Sequence, residues 1–270
     1  MPELPEVEIT RRGIAAPLTG ARVDDVIVRN ASLRWPVPAQ LHEILTGQTL
    51  QDIDRRAKYL LLRFDSGTLI IHLGMSGSLR VLASGLPPEK HDHVDIAFGD
   101  LTLRLRDPRR FGAVLWHQGA DNEHALLAGL GPEPLSSDFG AAALHDALAR
   151  RQCAIKLAIM DSSVVVGVGN IYASESLFRA RIRPGTAARR LTLPQAGRLA
   201  DEIRRTLNDA LAAGGSTLRD FMHADGAPGY FQQSYFVYGR EGEPCRICET
   251  PIRNRRMGNR STFFCPACQR

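Results

Sequence analysis

Leu130-Gly131-Pro132-Glu133-Pro134 divides the chain into two halves with different residue periods. Two prolines and a glycine within five positions break a helix or an interior strand, so the stretch reads as a linker between domains. Before it, apolar residues tend to recur at every second position. Leu101, Leu103 and Leu105 alternate with Thr102, Arg104 and Arg106, which predicts one packed face and one polar face. Strands are predicted at 22–29, 49–55, 59–64, 68–73, 78–82, 94–98, 101–106 and 113–116. Asp65-Ser66-Gly67 and Gly99-Asp100 supply tight turns between them. Many short strands with such punctuation predict a β-sandwich or flattened barrel. Helices are expected at 7–16, ended by Pro17 and Gly20, and at 39–45.

Beyond the linker the period becomes about 3.6. Helices are predicted at 141–150, 154–160, 171–179 and 194–213, up to Gly214-Gly215. A loop-rich piece, 225–239, then leads into paired cysteines. The expected fold class is α+β, with a β-sandwich at 1–131, a helical domain at 132–236 and a metal-clipped finger at 237–270.

With 270 residues the chain is long enough for two cores, and 44% hydrophobic with 23% charged residues excludes a disordered chain. No apolar run has the length of a membrane span and no signal-peptide pattern opens the chain, so a reducing cytoplasm is the expected compartment. A net charge of +5 leans towards a polyanionic partner. The lysines are only Lys58, Lys90 and Lys156, among 34 basic residues that are otherwise arginine. A lysine kept in so arginine-rich a chain marks a candidate site for a compact, titratable ammonium.

Cys245-x2-Cys248 and Cys265-x2-Cys268, with sixteen residues between the pairs, have the spacing of a tetrahedral four-cysteine zinc site. Arg253, Arg255, Arg256 and Arg260 lie between the pairs, with Phe263 and Phe264 following. This predicts a zinc-clipped hairpin that offers arginines to phosphates. Cys153, left over, is expected to be a small buried hydrophobe.

Val166-Gly167-Val168-Gly169-Asn170-Ile171 puts a glycine-rich turn directly before a helix. Lying between helices, it fits a helix–turn–helix gripping a nucleic-acid backbone. Met75 in His72-Leu73-Gly74-Met75-Ser76-Gly77 is flanked by glycines, and Arg109 and Phe111 in Asp107-Pro108-Arg109-Arg110-Phe111-Gly112 by a proline and a glycine. Large apolar side chains and an arginine at loop tips suit insertion between bases. Arg55-Arg56-Ala57-Lys58 opens a strand and reads as a solvated charge cluster.

The chain begins Met1-Pro2-Glu3-Leu4-Pro5-Glu6. Methionine is normally removed before so small a residue as proline, which would make Pro2 a secondary-amine terminus. An α-amino group titrates near neutrality, roughly two to three units below a lysine ammonium, so part of it is a free nucleophile at pH 7. Such an amine can form an iminium with an electrophilic carbon, and Glu3 and Glu6 place carboxylates nearby for proton transfer. The competing reading is a frayed leader, or the acidic first turn of the next helix.

Taken together, Pro2–Glu6, Arg56-Ala57-Lys58-Tyr59, His72-Leu73-Gly74-Met75, Asp107–Gly112, Gly167–Tyr172 and the four-cysteine finger resemble formamidopyrimidine-DNA glycosylase over essentially the whole chain. The resemblance implies a β-sandwich followed by a helix–two-turn–helix domain with a zinc finger. It implies excision of 8-oxoguanine and formamidopyrimidines from damaged duplex DNA, then strand cleavage at the abasic site. Pro2 would attack C1′, Glu3 would transfer protons at the sugar, and Glu6 would support the amine. Lys58 would donate a proton in β-elimination and Arg260 would serve δ-elimination. Met75, Arg109 and Phe111 would fill the space left by the flipped base. His91, Arg110, Arg151, Lys156 and Asn170 would contact the backbone. Thr217 through Tyr230 would form the loop covering the extruded base, and Lys90 would be surface. One structural zinc, a monomer without an obligate protein partner, no membrane association and a nucleoid-associated cytoplasmic location complete the expectation. Leu157-Ala158-Ile159 departs from relatives that carry a proline and a tryptophan there, which bears on packing.

Two rivals share parts of this reading. Endonuclease VIII has the same fold and amine but prefers oxidised pyrimidines, and it lacks the Asp-Pro-Arg-Arg-Phe loop. A non-enzymatic DNA-binding zinc protein would have no need for Pro2, Glu3 and Lys58 together.

Overall fold

The computed structural model of the chain describes residues 2–215 and 234–270, so the expected base-covering loop lies outside the described residues. Two compact units divide the chain near residue 128, and the first takes up the chain again from residue 213.

The first unit opens with helix α1, Leu4–Leu18. It starts three residues before the apolar period suggests, because Pro5 in the first turn already has a helical φ and needs no N–H partner. Glu6 reaches back to accept the Glu3 backbone N–H at 2.8 Å, one arm of a capping box. The leader is therefore folded: Pro2 and Glu3 are buried and Glu6 is fully so. Pro17 stays inside the last turn, and the chain leaves the helix at Thr19 and Gly20, the latter at φ +84°.

Two four-stranded antiparallel sheets follow. One has the order β1 (Asp25–Val28), β6 (Asp92–Phe98), β7 (Leu101–Arg106), β5 (Ser78–Ala83). The other has the order β2 (Leu50–Arg56), β3 (Tyr59–Phe64), β4 (Gly67–His72), β8 (Ala113–His117). A short helix α2, Leu41–Leu45, packs against β1. Leu60, Leu62, Leu69 and Ile71 from one sheet and Leu79, Ile96, Leu103 and Leu105 from the other share one core with Val7, Ile14 and Leu18 of α1. This is a sandwich, as the alternation predicts.

The polar face of β7 differs from expectation. Thr102 and Arg104 are buried, not solvated. The segment after β5 lies across them: Arg104 donates to the carbonyls of Leu86 (2.9 Å) and Pro87 (3.1 Å) and pairs with Asp95 at 2.8 Å. A covered arginine is tolerated because its donors find these acceptors.

The second unit holds α3 (Ala141–Leu148), α4 (Ile155–Ile159), α5 (Asn170–Arg179) and α6 (Leu193–Ala212). Ala196, Leu199, Ala200, Ile203, Leu207 and Ala210 make the buried stripe of α6, at the spacing of an amphipathic helix. That helix packs on α3 and α5. Strands β9 (Arg253–Met257) and β10 (Arg260–Phe264) form a hairpin whose turn, Gly258-Asn259, has φ +51° and +60°. Positive φ at both turn residues matches the twist of a two-residue hairpin. Phe178 of α5 joins Val237, Cys245, Ile252 and Cys265 in one cluster, so the finger shares its core with the helices. Cys153 is exposed, correcting the expectation of a buried thiol: α3 ends at Leu148 and the cysteine falls in the connecting loop. Ala158 and Ile159, at the departure from relatives, are fully buried. Among the described residues no helix is long and apolar enough to cross a membrane.

Candidate active site and metal centre

Three chain segments meet around the N-terminus of the first unit. Glu8, two residues after Glu6 on α1, pairs with Arg55 at the end of β2 at 3.2 Å, and with Arg11 and Arg12. Burial opposes its charge, but the arginine hydrogen bonds prevail and hold its carboxyl below the usual range. Arg55 also donates to the Ala57 carbonyl at 2.9 Å. That bond steadies the two-residue turn in which Ala57 sits at φ +55°, an uncommon conformation for alanine, and Lys58 occupies the tip. Lys58 is half-buried. Gly215, just before the undescribed segment, lies against Glu6: a Cβ there would stand 3.3 Å from its carboxylate oxygen.

His72 closes the same region. The register pairs it with Tyr59, and their rings are 4.9 Å apart. Its Nδ1 accepts the Gly74 N–H at 3.1 Å. Burial, then the charges of Lys58 and Arg34, depress its pKa to about 4, so the ring is neutral at physiological pH. The sequence reading did not select His72 or Arg34. The signal for His72 was its place at the head of the Met75 motif.

Met75, Arg109 and Phe111 are exposed at one end of the sandwich, with the Arg109 guanidinium 5.0 Å from the Phe111 ring. Arg110, exposed, has φ +56°, and His91, half-buried, has φ +78° with its carbonyl accepting the Asp107 N–H at 3.0 Å. Lys90 is exposed.

In the second unit Lys156 is fully buried. Its ammonium donates to Asn170 Oδ1 (2.6 Å), the Ser261 carbonyl (2.9 Å) and Thr262 Oγ1 (2.7 Å). Asn170 Nδ2 donates to the same Ser261 carbonyl at 3.1 Å. Lys156 thereby joins the glycine-rich turn before α5 to strand β10, beside exposed Arg260 at the hairpin turn. Arg151 is held by Asp161 (2.6 Å) and Ser163 (2.8 Å).

Glu175 was invisible in sequence as anything but a helix residue. It is fully buried, and its carboxylate accepts the backbone N–H groups of Phe236 (2.8 Å), Val237 (3.0 Å) and Tyr238 (2.9 Å), fixing the approach to the finger. Burial pushes its carboxyl pKa up, and the three N–H groups pull against that shift.

The sulfurs of Cys245, Cys248, Cys265 and Cys268 lie within 4.8 Å of one another. Backbone N–H groups of Ile247 and Cys268 point at Cys245 and Cys265 sulfurs, at 3.5 and 3.4 Å. Burial and the neighbouring sulfurs push the Cys265 and Cys268 thiols up, whereas hydrogen bonds from Thr250 bring the Cys248 thiol down to about 6. Four soft sulfur donors in a closed cluster suit a structural zinc ion.

Family models match along the chain: the formamidopyrimidine-DNA glycosylase N-terminal domain at residues 1–114, its H2TH domain at 130–222, and a zinc finger found in FPG and IleRS at 242–270. Formamidopyrimidine-DNA glycosylases of Methylobacillus flagellatus and Thioalkalivibrio sulfidiphilus are each 59% identical over all of this chain, and over 96% and 100% of their own lengths. The crystal structure of MutM (Fpg) from Thermus thermophilus superimposes with a TM-score of 0.89 at 40% identity, covering 99% of this chain and 98% of that one. Lactococcus lactis Fpg, solved in complex with DNA containing an abasic site, gives 0.92 at 34% identity, covering 99% of each chain. With these matches, the folded leader, the sandwich, the helical unit and the one-zinc finger together show that the chain belongs to the formamidopyrimidine-DNA glycosylase family, the DNA glycosylases of base excision repair.

Proposed function

We propose that this protein is a bifunctional glycosylase and AP lyase that removes 8-oxoguanine and formamidopyrimidines from damaged duplex DNA. The observation that carries the reading is the folded leader. A frayed terminus has no reason to bury Pro2, Glu3 and Glu6 and cap a helix with them. With Met1 removed, the Pro2 nitrogen attacks C1′, the glycosidic bond breaks with its electron pair leaving on the base, and an iminium links protein to sugar. Glu3 moves the protons at the sugar and Glu6 steadies the amine. Loss of a C2′ proton expels the 3′ phosphate, with Lys58 as proton donor. Arg260 serves the second elimination, at the 5′ side, and water then releases the amine. Met75, Arg109 and Phe111 occupy the space of the extruded base.

His91, Arg110, Arg151, Lys156 and Asn170 serve the DNA backbone interface. Of these, Lys156 orients Asn170 and β10, since its three hydrogen bonds are internal. The functional modules are 1–131, 132–236 and 237–270, in a cytoplasmic monomer that needs no protein partner. DNA as ligand is supported by the Lactococcus lactis relative, solved with abasic-site DNA.

Borohydride trapping tests the chemistry. The processed protein should give a covalent adduct on an 8-oxoguanine duplex and little on a 5-hydroxycytosine duplex. Pro2→Gly, or an N-terminal tag that stays in place, should remove the adduct. Equal trapping by the tagged protein would sink the assignment of Pro2, and preference for the pyrimidine lesion would favour an endonuclease VIII activity.

A further inference from the structure

The chain crosses between the two sheets twice at one end of the sandwich, and the registers set the crossings side by side. His72 pairs with Ala113 at the end of one sheet, and Ser78 pairs with Arg106 at the end of the other. The loop 73–77, carrying Met75, and the loop 107–112, carrying Arg109 and Phe111, must therefore lie against each other. Their backbones nearly touch: a Cβ on Gly74 would stand 2.4 Å from the Phe111 carbonyl carbon, and one on Gly112 would stand 2.8 Å from the His72 carbonyl oxygen.

The side chain of Asp107, fully buried, sits between them. Its Oδ1 accepts the Ser76 hydroxyl at 2.7 Å and lies 3.3 Å from the Arg109 N–H. Its Oδ2 accepts the Gly112 N–H at 2.8 Å. Ser76 Oγ in turn accepts the Arg109 N–H at 3.2 Å. The Asp107 backbone extends the junction, since its N–H donates to the His91 carbonyl at 3.0 Å and its own carbonyl meets His93 Nε2 at 2.8 Å. A buried carboxylate with donors from both loops resists separation, because parting them leaves polar groups unsatisfied away from water.

We propose that Asp107, acting with Ser76, is the positioning residue that joins the two crossover loops into one body, so that Met75, Arg109 and Phe111 enter the DNA stack together. Neither residue need touch DNA. The inference rests on the proposed role of those three side chains as the filling of the vacated space. Independent loops would each have to be ordered on binding, whereas a joined pair is ordered before the encounter.

The test uses the zinc-loaded full-length protein and duplexes carrying 8-oxoguanine, with 2-aminopurine beside the lesion to report unstacking by fluorescence. Ser76→Ala and Asp107→Asn should slow the unstacking phase and lesion excision on the order of tenfold, about the effect of losing one buried hydrogen-bonded partner. Cleavage of a preformed abasic site should stay within about twofold, a difference smaller than that lost bond would make. Asp107→Asn keeps the volume, but its single amide oxygen cannot accept both the Ser76 hydroxyl and the Gly112 N–H, and its NH2 turns a donor towards one of them. In the otherwise natural protein, Met75→Ala and Phe111→Ala should be non-additive on the unstacking rate, and they should become additive in the Ser76→Ala background.

If Met75→Ala and Phe111→Ala leave excision untouched, the insertion reading itself fails. If they slow it but Ser76→Ala and Asp107→Asn do not, the junction alone is overturned. Coupling that survives Ser76→Ala overturns it too, as does an equal fall in excision and abasic-site cleavage, which would mean general damage to the fold.

Discussion

Two side chains, Glu175 and His72, carry consequences that follow from their hydrogen bonds and titration. Glu175 Oε1 serves Val237 and Tyr238, while Oε2 serves Phe236. Glu175→Gln keeps the first pair but turns a donor towards the Phe236 N–H. It should cost roughly 1–2 kcal/mol of stability, and Glu175→Ala more, because three backbone donors then lose their acceptor. Denaturant titration of the zinc-loaded protein reads this, and equal midpoints for the two variants would contradict the anchor. His72 gives a pH signature. Its folded pKa is about 4 against an ordinary 6.5, so above 6.5 it is neutral in both states and costs nothing. As the pH falls from 6.5 towards 4 the unfolded chain takes up a proton that the folded one refuses, so stability is lost in that window. His72→Gln should flatten the acid side of the stability profile there. An unchanged profile would show that His72 is not the group responsible.

At the scale of elements, the finger depends on its metal and the helical unit depends on the finger. Cys245 and Cys265 are core members together with Phe178 of α5, Val237 and Ile252. Removing zinc leaves four crowded sulfurs with no cation between them, and structural zinc supplies folding energy to such modules. Cys245→Ser or chelation should unfold the β9–β10 hairpin and loosen α5, while the β-sandwich stays folded. Amide exchange resolved by segment distinguishes this from global unfolding. Uniform loss of protection in both units would refute it.

At the scale of the whole molecule, charge is distributed to meet a polyanion. The net charge is +5, and Arg253, Arg255, Arg256 and Arg260 stand exposed on a hairpin held by zinc at its base. Each phosphate contact releases about one counterion, so the salt dependence of binding counts contacts. Replacing Arg255 and Arg256 by alanine should weaken binding to lesion and plain duplex alike and reduce the slope of log K against log salt by about 2. A loss confined to lesion duplex, with an unchanged slope, would place these arginines outside the phosphate interface.

Much of this protein was legible in its sequence, because the informative patterns are local. Period-two alternation along 101–106 marks the leucines that enter the shared core, and the stripe along 194–213 marks the buried face of a helix, which spacing encodes directly. The cysteine pairs announce their chemistry by spacing alone, and glycines beside Met75 and Phe111 announce close-packed loops. What the tertiary structure alone decided depends on partners distant in sequence. Arg104 looks like a solvated strand residue until Leu86 and Pro87 cover it. Lys156 looks like a surface cation until the hydroxyl of Thr262, 106 residues away, accepts a hydrogen bond from its ammonium. Asp107 and Glu175 read as ordinary acids on a loop and a helix, and their backbone donors become visible only once the chain is folded. A buried polar group must be satisfied, but nothing local states by whom.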